Sequence, residues 1–167
     1  LNSNTCWRSI ESGSSRNCEA GERASFHRAL QDAYLQGADL RGADFSQAVM
    51  QGAELQNANL YWANLSQANL QGASLQRSRL REAIFECSHL IAASLQETDL
   101  QGANLREAIL RLAQVQDAKL SGAEMRGSLL HSADFLDAVG LTVRQVSEAE
   151  VDERTRWPTY LREEMSK

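Results

Sequence analysis

Residues 58–72 read Ala-Asn-Leu-Tyr-Trp-Ala-Asn-Leu-Ser-Gln-Ala-Asn-Leu-Gln-Gly, three copies of one five-residue unit. The unit continues in both directions. Every fifth residue from Leu35 to Phe135 gives 21 positions, holding 15 Leu, three Phe, two Met and one Val. Two residues before each stands a small side chain: 17 Ala, three Ser and one Thr. The site between them is polar in most units, often Asp or Asn, and Gly recurs two residues after the large one. A helix needs apolar residues at a 3.6 period, and a period of five walks them around the cylinder. A flat strand needs alternation along its whole length. Within one unit the small and large residues are two apart and can face one way. The next pair must turn the chain, and recurrent Gly suits a corner that needs positive φ. Each unit is then a short extended piece plus a corner, and it can bury its Leu only against stacked neighbours.

The motif Ala-(Asp/Asn)-Leu stands verbatim at 38–40, 58–60, 63–65, 68–70 and 103–105. On these units the chain resembles the pentapeptide repeat family, over 105 of its 167 residues, 33–137. The resemblance implies an all-β solenoid, a right-handed quadrilateral β-helix with four units per coil. Residues 20 apart then stack. One inner column reads Leu40, Leu60, Leu80, Leu100, Leu120, and another Phe45, Leu65, Phe85, Leu105, Met125, with the rings on alternate coils. Outside, the same rule sets Arg77 on Glu97, Arg79 and Lys119 on either side of Asp99, and Glu86 on Arg106. It also makes Arg41, Tyr61 and Arg81 a candidate cation–π ladder. One outer face is less polar: Val49, Asn69, His89, Ile109 and Leu129 stack, with Ile91, Leu112 and His131 nearby. Val49, His89, Ile91, Ile109, Leu112 and Leu129 are the candidate interaction face. The competing reading is that the chain's own terminal segment covers it. Trp62 beside Tyr61 is a second, smaller candidate.

Both ends of such a solenoid expose strand edges that need covers. Three segments are expected: an N-terminal cap (1–32), the repeat β-helix (33–137) and a C-terminal helical cap (138–167). A short N-terminal helix is expected over 18–31, with Phe26 and Leu30 on one side. At the other end Thr142 and Gln145 have capping-box spacing, Val143, Val146 and Ala149 form an apolar stripe, and Pro158 opens a second helix. Trp157, Tyr160 and Leu161 are the expected plug. Cys6 and Cys18, with eleven residues between them, suit a disulfide that would tie down a polar end, which leaves Cys87 as a free thiol. With the first residue being Leu1, the pair is read as the mark of an exported chain in an oxidising compartment.

Templates for catalysis are absent from the sequence: no Cys-x-x-Cys, His-Glu-x-x-His, P-loop or nucleophile elbow. His89 and His131 are 42 positions apart, two coils along the rod, too far to share a metal. A non-enzyme is expected, with no catalytic residue, metal or cofactor. Net charge is −5 and mean hydropathy −0.43. A basic nucleic-acid surface is therefore not expected, and no apolar run reaches the ~18 residues of a membrane span. The expected partner is an unidentified protein, with no nucleic acid and no membrane insertion, on a monomer or weak dimer. The resemblance adds two settings. One is a structural or interaction scaffold of the thylakoid lumen or periplasm, as in cyanobacterial members of the family. The alternative is a DNA-mimicking gyrase binder. Against it, residues 33–137 hold 12 acidic and eight basic side chains, a small excess beside a duplex charged every ~1.7 Å.

Overall fold

A computed structural model describes residues 30–166, and every corner of its coil is built in one way. The N–H of the small residue donates to the carbonyl of the large residue three back: Ala33 to Leu30 at 3.1 Å, Ala63 to Leu60 at 3.0 Å, Ala113 to Leu110 at 3.0 Å. The second of the two turn residues sits in the left-handed region. All 22 such positions from Asp32 to Asp137 have φ between 54° and 72°, and only seven are Gly. The corner expected from recurrent Gly is thus present throughout, but the closing hydrogen bonds hold 15 other side chains in a conformation they ordinarily avoid.

Between corners, the polar site pairs in parallel with the residue 20 positions on. One column runs Asp39, Asn59, Arg79, Asp99, Lys119, and three others run beside it. Leu60 N–H reaches Arg79 O at 2.8 Å, and Arg79 N–H reaches Ala58 O at 2.9 Å. Each pairing is one residue wide, because the chain turns again within two residues. The four-sided coil is therefore a set of ladders of isolated bridges, and no longer strand forms among the described residues.

The axis is filled. Leu40, Leu60, Leu80, Leu100, Leu120, Phe45 and Phe85 are fully buried, as are nearly all the small residues beside them. Two of the four hydroxyls in this column bond back within their own turn: Thr98 Oγ1 donates to Leu95 O at 2.6 Å and Ser128 Oγ to Met125 O at 2.7 Å, whereas Ser78 and Ser88 Oγ are buried with no partner among the described residues.

The first described residues correct one expectation. Leu30 and Gln31 do not end a helix. Leu30 takes an inner position, 2% exposed, and its N–H donates to Val49 O at 2.6 Å. It falls on the same multiple of five as the other inner residues, so the coil captures it. The Cys6–Cys18 pair, His27 and the rest of the expected helix lie outside the described residues.

The C-terminal segment holds the two short helices expected, α1 (Val143–Ser147) and α2 (Thr159–Met165). Between them the chain extends the coil, with Glu150 bridged to Leu129 and Arg156 to Asp134, offsets of 21 and 22. Thr142 and Gln145 do form a capping box on α1. Of the apolar stripe, Val146 is buried, Ala149 half-buried and Val143 exposed. Pro158 stands at the N-cap of α2, one residue earlier than a first helical position. Trp157 continues an inner column, stacked on Phe135 at 5.0 Å and 14°, and Leu161 is fully buried beside it. Tyr160 is 37% exposed and acts through its hydroxyl, which accepts from Leu141 N–H at 3.0 Å.

Candidate interaction surface

With the axis filled by side chains, chemistry is confined to the outside. The polar site explains itself first. Where it is Asp or Asn, its side-chain oxygen accepts the N–H two residues on, at the entry to the next corner: Asp44 from Ser46 at 3.0 Å, Asn64 from Ser66 at 3.1 Å, Asn104 from Arg106 at 3.1 Å. This Asx turn is the local reason for the Ala-(Asp/Asn)-Leu motif. The stacked pair Asp44 and Asn64 adds an inter-coil bond, Nδ2 to Oδ1 at 3.2 Å.

Val49, Ile109 and Leu129 occupy that polar site on one side and give up the Asx turn. They stack with His89 through the bridges Asn69–His89, His89–Ile109 and Ile109–Leu129. Ile91 and Leu112 flank the column at the adjoining corner. Leu112 is 59% exposed with φ 59°, and Val49 is 38% exposed. Ile91, Ile109 and Leu129 are half-buried, and His89 is exposed. The C-terminal segment does not cover this face. It continues the coil above Leu129, through Glu150, so the C-terminal segment is set aside as the cover, and the N-terminal segment lies outside the described residues.

The charge ladders form only in part. Arg77 and Glu97 pair through two bonds of 3.0 Å, which holds the Glu97 carboxyl below its ordinary range. Arg106 chooses Glu124, at 2.8 Å, over Glu86. Arg79, Asp99 and Lys119 share a column but make no ion pair. The cation–π ladder is absent as well. Arg41 turns to Asp39 at 2.7 Å, and Tyr61 lies against Trp62, with centroids 4.1 Å apart and rings tilted by 52°. Both outcomes have one cause: on an exposed face a residue two positions away competes equally with one a coil away.

Cys87 is half-buried beside Glu107, Sγ to Oε2 at 3.5 Å. Partial burial, then this carboxylate, push its thiol upward from the ordinary value, the opposite of an activated nucleophile. Among the described residues no three His, Cys, Asp or Glu side chains are grouped to hold a metal, and no helix is long and apolar enough to cross a membrane. A groove of about 560 Å³ opens where α1 meets the last full coil, lined by Arg106, Arg126, Arg144, Glu124, Glu148 and Gln145. Gln145 closes its floor, donating to Leu120 O and Ala123 O at 3.0 and 2.9 Å.

A filled coil of five-residue units with the charged side chains of its described residues outside defines a short-repeat solenoid. Pentapeptide repeats match it in eight copies, over residues 30–67, 58–91, 88–127 and 108–138, and the chain belongs to the pentapeptide repeat family. Among solved structures, a pentapeptide repeat protein from the Arabidopsis thaliana thylakoid lumen is 30% identical with a TM-score of 0.44, over 62% of this chain and 68% of that one. HetL, involved in heterocyst differentiation regulation in the cyanobacterium Nostoc sp. strain PCC 7120, is 23% identical with a TM-score of 0.47, over 93% and 79%. Trypsin-treated QnrB1, a plasmid-mediated fluoroquinolone resistance protein, is 17% identical with a TM-score of 0.43, over 91% and 92%. A search of curated proteins finds no match.

Proposed function

We propose that the protein is a non-catalytic interaction scaffold that holds a protein partner on the face built by Val49, His89, Ile91, Ile109, Leu112 and Leu129. One observation carries the reading: this face sets aliphatic side chains, Ile109 stacked on Leu129, at the outward site of the coil. Val49, Ile109 and Leu129 stand where eight of the 21 units carry Asp or Asn and gain a turn-capping oxygen. Leu112 holds a large apolar side chain, 59% exposed, in a left-handed corner. Such choices weaken the fold locally and gain no burial within the described residues, so an outside surface supplies the compensation.

The setting we propose is an oxidising compartment, thylakoid lumen or periplasm, on the spacing of Cys6 and Cys18 in the sequence. Alkylation of thiols in intact source cells, read by intact mass, tests it. A single reactive thiol, Cys87, supports the compartment, and three overturn it.

Photo-crosslinking in the same cells tests the face. A photoreactive side chain is placed at Leu112, or at Gln101 on another side of the rod as control. One protein species captured from position 112, absent from position 101 and lost when Ile109→Asp is added, is the expected result. Equal capture from both positions, or capture only of further copies of this chain, overturns the reading.

A further inference from the structure

Of the 22 left-handed corner positions, two carry large apolar side chains, Leu112 and Trp62. Leu112 belongs to the face just described. Trp62 does not, since it lies at another corner, between the column of Asn59 and the column of Asn64. It has φ 58° and is 60% exposed, with Tyr61 tilted against it at 4.1 Å. A bulky residue there is a conformational outlier that glycine would relieve, and packing does not explain it, because most of the ring faces solvent.

The surroundings are specific. The coil above passes directly over this pair: Trp62 N–H donates to Arg81 O at 3.1 Å, and Leu60 N–H to Arg79 O at 2.8 Å. Arg79 and Arg81 are exposed, and neither forms an ion pair among the described residues. Arg77 and Arg41, on either side, are occupied by Glu97 and Asp39. Glu82, the carboxylate next in sequence, is turned away over Gly102 of the following coil, its Oε1 2.7 Å from where a Cβ on Gly102 would stand. Ile84, 37% exposed, stacks on Asn64 and extends the apolar surface.

We infer that Trp62, Tyr61, Arg79, Arg81 and Ile84 form a second docking site, for an extended acidic segment of a partner protein. An apolar side chain of the segment lies on the Trp62–Tyr61 rings, and two of its carboxylates meet Arg79 and Arg81. These two arginines are two residues apart, about 7 Å along an extended backbone, which is also the spacing of carboxylates at alternate positions of an extended peptide. Trp, Tyr and Arg are the residues that dominate binding energy at protein interfaces. The charge pattern favours a peptide over a single-stranded nucleic acid, which needs a cationic track along many phosphates. Here two cations meet at the rings, on a rod with 12 acidic and eight basic residues over 33–137.

The experiment uses the full chain and three fluorescent probes at low salt: the peptide Glu-Phe-Glu-Glu-Phe-Glu, its Gln-for-Glu counterpart and a twelve-nucleotide oligothymidine. Anisotropy should show submillimolar binding of the acidic peptide alone. Trp62→Gly should weaken it at least tenfold while raising the melting temperature, because the corner is relieved as the site is lost. Arg79→Gln with Arg81→Gln should weaken it at least tenfold with the melting temperature unchanged. No binding of the acidic peptide, equal binding of its neutral counterpart, tighter binding of oligothymidine, or full affinity in either variant overturns the inference.

Discussion

The coil body and its C-terminal end solve one problem by different means. From Tyr34 to Val139 every bridge between coils joins residues at an offset of 20, through the same pair of backbone bonds. Beyond Val139 the offsets become 21 and 22, and the segment is held by side chains made for one place. Asp152 accepts from Ser132 N–H at 2.8 Å and Ser132 Oγ at 3.0 Å, Thr155 Oγ1 donates to Leu130 O at 3.1 Å, and Tyr160 takes Leu141 N–H. The body is insured by repetition, since each coil supports the next in the same register. The end relies on single contacts. A change to the body is therefore felt through packing volume, and a change to the end through the loss of one named bond.

The largest expected effect is in the body. Leu100→Ala empties a fully buried site between two leucines of its column and should destabilise by about 2–5 kcal/mol. Gln101→Ala, one residue on and facing outward, should be near neutral. Equal thermal shifts for the two would break the picture of a filled axis. The junction comes next. Gly140 has φ 82°, and a Cβ there would stand 2.8 Å from Ser121 N and 3.0 Å from Ser121 Cα. These are backbone atoms that cannot swing aside, so Gly140→Ala should destabilise by at least about 2 kcal/mol. A neutral melting curve would show that the end is not fixed to the last full coil at this point.

Acid should separate the two regions. Backbone donation from Ser132, then bonds from Thr155 and the Ser132 hydroxyl, hold the Asp152 carboxyl at about 2, below its ordinary 3.8. A depressed carboxylate favours the folded end above its unfolded pKa, and the contribution is lost as pH falls from about 4 towards 2. The Ser132 and Arg154 amides, both bonded to Asp152 Oδ1, should lose protection against exchange, relative to the intrinsic rate at each pH, more than Leu60 in the body. Asp152→Asn should remove the difference. Parallel loss of protection at all three amides would mean that the end and body open as one unit.

How legible each region was in the sequence follows from the same contrast. The inner columns could be read directly, because a period repeated 21 times leaves no freedom of register. The Asx turn was legible as a composition, though its hydrogen bond was not. Leu30 was missed because a single inner residue beside Phe26 also fits a helix, and only the coil above, through Val49 O, decides it. At the other end the capping box of Thr142 and Gln145 was legible, since it is local. The two-residue slip that brings Trp157 onto Phe135 was not, because it depends on which long-range bonds win. The apolar face was found by stacking at 20. The weight of Trp62 could have been found from its corner position in the unit, where Gly, Asp or Glu is the common choice. The exposed charges were least legible, because several partners of equal strength lie within reach of each.

Competition among exposed charges sets the smallest expected effect, and it separates the body from the end most sharply. Arg77 and Glu97 form the best-aligned ion pair of the body, two parallel bonds of 3.0 Å between adjacent coils. If inter-coil side-chain bonds held the body as they hold the end, Arg77→Ala should weaken it as clearly as Asp152→Asn weakens the end. Both partners are largely exposed, at 65% and 51% of the side chain, and such pairs are screened by water and salt. The backbone already joins the same coils at Arg77 N–H to Gln96 O, 3.0 Å. Arg77→Ala should therefore leave the melting temperature unchanged at physiological salt, while Asp152→Asn speeds exchange at Ser132. A drop in melting temperature with Arg77→Ala would show that charge ladders, and not repetition alone, keep the coils in register.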